Sequence, residues 1–509
     1  MRKEIVIDIN PYQTRVVLLE DGLPSEIYIE RRGKERLVGN IYKGRVQNVL
    51  PGMQAAFVDI GLERNAFLYA GDIVLDKGDF QFGEHTSAQK VDEVPNIKDI
   101  VRPGQDIMVQ VIKEPVGTKG ARVTTHITLP GRSLVLMPTV NYIGVSRRID
   151  DETERARLKA SIEDLKPSGM GLIVRTAAEG KSKEDFANDV AFLTRLWERI
   201  RQKGKMLSAP RLIHAEEQLM FRTLRDLFTP DIDRLVINDR AFFERIKVVA
   251  GIISPTLQDR VVLHEGLPDA FDTYKLENAI DKALCHKVWL KNGGYIIIDQ
   301  TEALTTIDVN TGKYIGNDSL QETITQTNCE AAREIARQLR LRDISGIIII
   351  DFIDMDEIVD KERVLETLRT ELKRDRTKSN VLGITQLGLV EMTRKKTRQC
   401  ISNTLQASCP YCGGDGKVLS RETIVLKVRK RLMRALSEGG SGAYLVRLSP
   451  SVADLIEEYS EEDTPLLPKV PGHAIYIQPV PGMHLQEFTI SPITSQEELK
   501  HVRGVAKAY

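Results

Sequence analysis

Two apolar segments that each run into an aspartate constrain the fold of this chain more than any other feature. The first contains Asp308 and Asn310, and the second is a run of four isoleucines that leads into Asp351. An uninterrupted apolar run of this kind is typical of a strand buried on both faces. Because an unpaired buried carboxylate costs roughly several kcal/mol, we expect Asp351 to lie at the exit of its strand.

The residues between the two segments predict a helix. From Asp318 to Arg342, apolar residues recur near helical spacing, at Leu320, Ile324, Ala331, Ile335 and Leu339. A strand, a helix and a second strand form a right-handed crossover in which the two strands are parallel. The carboxyl ends of both strands then meet at one edge of the sheet, where Asp308 and Asp351 can share a cation.

An aspartate at a strand end is often only a cap for the following turn or helix, and either residue alone has that explanation. Asn310 lies two positions after Asp308 and projects to the same side if the strand persists. Two carboxylates with an amide favour magnesium or manganese over zinc, because magnesium prefers oxygen ligands and typically meets phosphates. The pattern therefore predicts phosphoryl chemistry, with a metal-activated water attacking a phosphodiester.

The composition limits the class of protein. A chain of 509 residues predicts several domains. Equal numbers of basic and acidic residues, 72 of each, leave no global field that would steer the protein toward nucleic acid or membrane. We expect no membrane anchor, because no signal sequence or spanning helix is evident. The odd number of cysteines, five, favours a reducing compartment and hence the cytoplasm.

Short strands separated by glycine turns over residues 39–70, and an alternating pattern over 101–111, predict a small antiparallel barrel with an OB-fold as the natural candidate. The polar stretch from Asp76 to Asp99 is predicted as a long loop. Four residues of this region offer stacking surfaces or cations for a single nucleic-acid strand: Phe57, Phe67, Lys113 and Lys119. Aromatic residues of a small barrel are more often part of its core than a stacking surface.

A second candidate phosphate site follows the apolar strand over residues 171–174. Arg175 and Thr176 come directly after that strand, and a long helix through Trp197 follows them. A guanidinium and a hydroxyl can hold a terminal phosphate, although an isolated surface arginine is the commoner case.

Cys409 and Cys412 have the spacing of zinc ligands and are followed by glycines. Zinc takes four ligands, and no second cysteine or histidine pair lies nearby in the sequence. The simplest completion is a second chain that donates the same two thiolates across a two-fold axis. A redox-active dithiol is the alternative, although the motif does not open a helix in a βαβ context.

Four motifs together resemble the ribonuclease E/G family over the whole length of the chain. They are Thr-Thr-Ile-Asp-Val-Asn-Thr-Gly from Thr305, Ala-Arg-Gln-Leu-Arg-Leu-Arg-Asp from Ala336, Ile-Asp-Phe-Ile-Asp-Met from Ile350, and Cys-Pro-Tyr-Cys from Cys409. The resemblance implies a magnesium-dependent endoribonuclease that cuts single-stranded, AU-rich RNA and leaves a 5′-phosphate and a 3′-hydroxyl. Asp308 and Asp351 would hold the magnesium with Asn310 assisting, and the substrates would be ribosomal RNA precursors and messenger RNA.

The resemblance also implies an α/β multi-domain architecture. It consists of an RNase H-like subdomain in two segments (1–38 and 217–283), an OB-fold barrel (39–127), a 5′-phosphate sensor (128–216), a DNase I-like catalytic domain (284–404), a zinc link (405–420) and a small C-terminal domain (421–509). The alternative is a non-catalytic RNA-binding or ribosome-assembly factor, for which the barrel and the local basic runs would suffice.

Further site residues follow from the resemblance. Phe57, Phe67 and Lys119 would contact RNA. The 5′-monophosphate would be read by Gly131, Val135, Arg175 and Thr176, and would stimulate cleavage. Cys409 and Cys412 would form a shared zinc site that joins two protomers, with higher assembly left open. The long tail by which some members recruit partners and touch the membrane is not evident, so we expect no degradosome scaffold role.

Overall fold

The computed structural model describes residues 1–33, 36–73, 96–115, 119–146, 148–149, 151–253, 255–312, 320–438, 442–459, 466–467, 471–493 and 506–507. The chain forms two compact units, Met1–Thr404 and Leu405–Tyr509. The predicted loop from Asp76 to Asp99 falls mostly outside the described residues, as does the predicted helix start at Asp318.

The secondary structure is mixed. The strands are β1 (Lys3–Ile9), β2 (Gln13–Glu20), β3 (Leu23–Arg31), β4 (Ile41–Leu50), β5 (Ala55–Asp59), β6 (Ala66–Tyr69), β7 (Asp106–Lys113), β8 (Arg122–Thr124), β9 (Leu129–Pro130), β10 (Leu134–Met137), β11 (Ile143–Val145), β12 (Gly171–Val174), β13 (Arg211–His214), β14 (Arg234–Ile237), β15 (Val261–Leu263), β16 (Lys287–Trp289), β17 (Tyr295–Gln300), β18 (Leu304–Asn310), β19 (Gly346–Asp351), β20 (Ser379–Ile384), β21 (Val390–Arg394), β22 (Ala443–Leu448), β23 (Ala474–Pro479), β24 (Phe488–Pro492) and β25 (Ala506–Lys507). The helices are α1 (Ile97–Ile100), α2 (Glu152–Glu163), α3 (Lys183–Met206), α4 (Leu219–Asp226), α5 (Arg240–Ile253), α6 (Pro255–Gln258), α7 (Ala270–Thr273), α8 (Leu276–Leu284), α9 (Leu320–Arg342), α10 (Ile358–Leu372), α11 (Ile401–Leu405), α12 (Arg421–Ser437) and α13 (Pro450–Glu458).

The first sheet joins two distant parts of the chain. Its strand order is β15-β14-β1-β2-β3, so strands from residues 3–31 pair with strands from residues 234–263. The central strand β1 is parallel to β14 and antiparallel to β2. Side chains of α4 and α5 pack with those of β1 in one apolar core.

A closed five-stranded barrel follows, because β4 pairs with both β5 and β7 in the order β4-β5-β6-β8-β7. The predicted small barrel is therefore confirmed. It is not wholly antiparallel, since β6 and β8 run parallel. The later strand β13 extends the sheet from β4. A separate sheet, β11-β12-β10-β9, carries the residues of the predicted phosphate sensor and shares an apolar core with α2 and α3.

The sheet that bears the acid pair has the order β16-β17-β18-β19-β21-β20. The crossover prediction is confirmed: α9 connects β18 to β19, and these two strands are parallel. The expectation that β19 is buried on both faces is wrong. Ile348 and Ile350 pack with α9 and α10, whereas Ile347 is 51% exposed. The two helices cover one face of the sheet, and the acids project from the other.

The second unit contains a four-stranded sheet of order β24-β22-β23-β25. Helices α12 and α13 share its apolar core, which forms around Val428, Val446 and Ile456. No helix in the described part of either unit has the length and apolar character that crossing a membrane requires.

Candidate active site

The two aspartates occupy directly paired positions on neighbouring strands. Asp308 of β18 is in register with Asp351 of β19. Adjacent strands lie about 4.8 Å apart, and paired residues of parallel strands project from the same face of the sheet. Both side chains are exposed. The residues next to them in the chain, Ile307, Val309 and Ile350, are buried on the opposite face of the sheet. The strict alternation of β18 and β19 thus places both carboxylates on one open surface.

Asn310 completes this group. The strand β18 continues to Asn310, and its Nδ2 donates a hydrogen bond of 2.8 Å to Oδ2 of Asp308. The bond holds the Asp308 carboxylate in one orientation and leaves a second amide hydrogen for another acceptor. The prediction that Asn310 lies on the same side as Asp308 is confirmed.

Asp351 carries the electrostatic signature of an uncompensated acid pair. Partial burial raises the pKa of Asp351, and the nearby charges of Asp308 and Asp354 raise it further. Each of these effects disfavours the ionised form, so a cation between the carboxylates would relieve them.

The donor set fits magnesium. Magnesium is commonly held by one or two carboxylates while it keeps several waters and meets substrate phosphates. Asp308 and Asp351 supply that number of carboxylates, and neither is tied up by a Lys or Arg within salt-bridge distance among the described residues. A cage of three or more His, Cys, Asp or Glu side chains does not occur in the described part of the chain. The arrangement suits an open, partly hydrated ion and not a closed structural site.

The barrel places its candidate RNA-binding residues in one cross-strand row. Phe57 pairs with Phe67, Phe67 with Arg122, and Arg122 with Lys113. The two rings meet edge to face with centroids 6.1 Å apart. Neither belongs to the barrel core, which is formed by the alternate residues of β5 and β6. Both phenylalanines are partly buried and lie outside the barrel core, and their role in binding RNA stays a prediction.

Lys119 approaches the same row from a loop. It is exposed, and the next residue, Gly120, is pressed against the main chain, since a Cβ there would lie 1.9 Å from the carbonyl oxygen of Asn65. The main-chain N–H of Phe67 donates to the carbonyl of Ala121 at 2.7 Å. The main chain at Gly120 and Ala121 thus runs beside β6, and Lys119 is the exposed residue that precedes it.

The predicted sensor residues come together on one small sheet. Val135 of β10 pairs with Pro130 of β9 and with Ile173 of β12. Arg175 follows β12, and its guanidinium donates to the carbonyl of Gly131 at 2.7 Å. Thr176 is exposed directly after it and begins a short 3-10 helix.

Sequence reasoning missed the partner of Arg175. Its Nη2 donates to Oδ1 of Asp226 at 2.7 Å. Burial opposes ionisation of Asp226, but Arg225 and Arg175 outweigh it and lower the pKa of that carboxyl. Asp226 lies 51 residues away, at the end of α4, and no local pattern connects it to Arg175.

The cysteine pair lies in the second unit, in a turn with three glycines at positive φ, Gly413, Gly414 and Gly416. The N–H of Gly416 donates to Sγ of Cys412 at 3.2 Å. Hydrogen bonds from the main chain of Cys412 and Tyr411, and from the Cys412 side chain, lower the pKa of the Cys409 thiol. These hydrogen bonds favour the thiolate of Cys409, the form in which cysteine binds zinc.

Comparison with known proteins gives consistent matches. A model of the Ribonuclease E/G family matches residues 128–397. The chain is 47% identical to Ribonuclease G of Haemophilus influenzae over 472 residues, which cover 92% of this chain and 94% of that protein. It is 43% identical to Ribonuclease G of Escherichia coli (strain K12), over 96% of this chain and 99% of that protein. Ribonuclease E of Haemophilus influenzae is 35% identical over 99% of this chain, which corresponds to 53% of that protein.

Proposed function

Because the chain belongs to the ribonuclease E/G family, we propose that it is a magnesium-dependent endoribonuclease that cuts single-stranded, AU-rich RNA. The observation that carries the proposal is the register of Asp308 and Asp351, with Asn310 bonded to Asp308. The charges of Asp308 and Asp354 raise the pKa of Asp351. In a protein that only binds RNA, such a group of like charges would serve no purpose. The non-catalytic alternative is therefore not adopted.

Asp308 and Asp351 would hold the magnesium. When bound, the ion supplies an activated water and neutralises charge that develops on the phosphate. Asn310 fixes the orientation of Asp308, and its second amide hydrogen is free to donate to a phosphate oxygen. Attack of water on the phosphorus with departure of the 3′ oxygen gives a 5′-phosphate and a 3′-hydroxyl.

The barrel row supports the preference for a single strand. Phe57 and Phe67 lie outside the barrel core and are partly exposed, so unpaired bases could stack on their rings. The bases of a duplex are already stacked and paired. Arg122 and Lys113 continue the row, and Lys119 lies beside it, so that the sugar-phosphate backbone meets cations along its path.

We propose that Gly131, Val135, Arg175 and Thr176 bind a 5′-monophosphate and that this binding stimulates cleavage. A phosphate has three oxygens for the guanidinium of Arg175 and the hydroxyl of Thr176, together with main-chain groups beside Gly131 and Val135. The Arg175–Asp226 ion pair of 2.7 Å holds the guanidinium in place before the phosphate arrives.

We further propose that the first sheet is the RNase H-like subdomain, that the barrel is of the OB type, and that the acid-bearing sheet is DNase I-like. The two-segment origin of the first sheet supports this assignment. The substrates would be ribosomal RNA precursors and messenger RNA in the cytoplasm. The working form would be a dimer joined by zinc at Cys409 and Cys412.

A cleavage assay tests the proposal. The purified protein is incubated with a 5′-monophosphorylated AU-rich oligonucleotide, and products are resolved by length and end group. We expect cleavage that EDTA abolishes and magnesium restores, whereas zinc alone does not restore it. Asp308→Asn should be inactive, and the exposed Asp356→Asn, a matched change in the following segment, should remain active. Binding without cutting by the unmodified protein would overturn the proposal.

A further inference from the structure

We infer that Trp289, Tyr295 and Lys287 form a base-stacking platform for RNA beside the acid pair, an inference that rests on the proposed function. No motif pointed to these residues. They lie on β16 and β17, between the acid pair and the edge of the same sheet.

Strand register places the platform on the open face of the sheet. Asp351 pairs with Asp308, Asp308 with Ile297, and Ile297 with Lys287. The neighbouring row runs from Asn310 through Tyr295 to Trp289. Paired residues share a face, and two strand spacings amount to about 10 Å. The platform therefore faces the same side as the carboxylates, within reach of a nucleotide close to the one that is cut.

The three side chains form one cluster. The rings of Trp289 and Tyr295 meet edge to face with centroids 5.4 Å apart. The Lys287 ammonium lies 4.1 Å from the Trp289 centroid and 3.6 Å from that of Tyr295. Trp289 is 59% exposed. Val288, the residue between Lys287 and Trp289, packs against the core. The cluster keeps a large indole in solvent on the face that also holds the acids.

Charge favours a nucleic acid as the occupant. Lys287 forms no salt bridge within the described residues, so its ammonium is available to a phosphate. The nearest acid on the same face of β17, Asp299, is held by His286 at 2.7 Å. An indole beside a cation suits an unpaired base joined to a phosphate, since bases stack on aromatic rings without regard to sequence.

Trp289 itself supplies the probe. The chain contains two tryptophans, and Trp197 packs against the core of the sensor domain. In an Asp308→Asn, Trp197→Phe protein, Trp289 is the sole tryptophan, so excitation selective for tryptophan reports on it alone, and the RNA stays intact. We expect saturable quenching by the single-stranded oligonucleotide, with a midpoint that equals the Kd from fluorescence anisotropy of labelled RNA, and no quenching by a duplex of the same sequence.

Substitution tests the same inference in the active enzyme. Trp289→Ala should raise KM about 5- to 100-fold with little change in kcat, because stacking lost equally from substrate and transition state affects binding alone. Trp289→Phe should restore most of the affinity. Leu382→Ala, an exposed apolar residue on the opposite edge strand β20, should leave KM unchanged.

The outcomes separate this inference from the proposed function. If the enzyme cleaves RNA normally with Trp289→Ala and Trp289 fluorescence does not respond to RNA, the platform is refuted and the nuclease proposal stands. If the unmodified enzyme fails to cleave while RNA still quenches Trp289, the nuclease proposal fails and the binding platform stands. If Trp289→Ala changes only the mass measured by light scattering, the surface contacts a second copy of the chain and the inference is overturned.

Discussion

At the scale of single residues, the acid pair illustrates how function competes with stability. Asp308 and Asp351 face each other in register, and the pKa of Asp351 is raised by burial and by the charges of Asp308 and Asp354. A carboxyl whose pKa rises on folding binds its proton more tightly in the folded state. At neutral pH, where that proton is absent, the ionised group therefore destabilises the metal-free fold. The protein retains a strained pair of charges at the place where a cation is needed.

Asp351→Asn should separate the effect of the acid pair on stability from its effect on catalysis. The substitution removes the repulsion, so we expect a small rise in unfolding temperature in magnesium-free buffer at neutral pH. Loss of one metal ligand should lower kcat at least about 100-fold, because the ion contributes several kcal/mol to the transition state. Differential scanning calorimetry and the cleavage assay measure the two quantities on one preparation. A lower unfolding temperature than that of Asp356→Asn would contradict the repulsion argument.

The acid pair could be predicted from the sequence because its determinants are local. Strand alternation and the handedness of the crossover bring Asp308 and Asp351 together without knowledge of any distant contact. That helices leave one face of the acid-bearing sheet open could not be predicted from local patterns. A run of four isoleucines has the same pattern whether helices cover one face or two, and only the packing of α9 and α10 decides it.

At the scale of elements, α9 does more than connect two strands. Its C-terminal turn carries Arg340, whose side chain is 6% exposed and donates to Glu20 of β2 and Glu26 of β3 at 2.7 and 3.1 Å. Burial would raise the pKa of Glu26, but Arg376, Arg340 and a hydrogen bond from Tyr28 lower it. The motif that begins at Ala336 thus fastens the acid-bearing sheet to the first sheet.

Replacing Arg340 should loosen that junction. Arg340→Met removes the guanidinium that bonds both Glu20 and the buried Glu26, and we expect a loss of about 3–5 kcal/mol in the free energy of unfolding. Both tryptophans lie in the first unit, so their fluorescence during urea unfolding reports on that unit. Arg333→Met, an exposed position on the same helix, should change stability by less than about 0.5 kcal/mol. If Arg340→Met and Arg333→Met lower the free energy of unfolding equally, Arg340 does not join the two sheets.

The helix itself was predictable, but this role was not. The apolar spacing predicts α9, and Ala331, Ile335 and Leu339 are buried as expected, whereas Leu320 at the start of the helix is 79% exposed. Arginine is normally a solvent-exposed residue, and the partners of Arg340 lie more than 300 residues away in the sequence. A single sequence contains no local signal for such a pair.

The barrel loop that carries Lys119 depends on a glycine. A methyl group at Gly120 would overlap the carbonyl oxygen of Asn65, at 1.9 Å. We expect Gly120→Ala to cost about 1–3 kcal/mol through displacement of the loop and to weaken RNA binding, because the proposed RNA-binding residue Lys119 is displaced with it. Gly52→Ala, at a barrel turn with nothing within 4 Å, is the matched control. Binding measured by anisotropy that is unchanged in Gly120→Ala would remove Lys119 from the RNA path.

At the scale of the whole molecule, a net charge of zero coexists with three local groups of residues that we propose as binding sites for RNA phosphates. The barrel row, the sensor around Arg175 and the platform at Lys287 each place cations on a different sheet. The overall composition does not reveal such groups, because net charge is a sum over the whole chain and does not say where cations cluster. Motifs and register reveal them where composition cannot.

The second unit provides the last feature at this scale, the pair of cysteines that we propose as zinc ligands. Cys409 and Cys412 are brought together by a glycine turn, and the ring of Tyr411 packs on His484 of the same unit with centroids 4.1 Å apart. The described residues of one chain place no third His, Cys, Asp or Glu with this pair. Since structural zinc takes four ligands, two chains that each donate two thiolates satisfy it.

Cys412→Ser should therefore convert dimers to monomers. We expect light scattering to show half the mass at low micromolar protein, and zinc bound per chain to fall from one half to near zero. Chelation of the unmodified protein should have the same effect, and readdition of zinc should reverse it. Cys285→Ser, at an exposed thiol outside the turn, is the control and should leave the mass unchanged. A Cys412→Ser protein that remains dimeric would show that the chains associate through another surface.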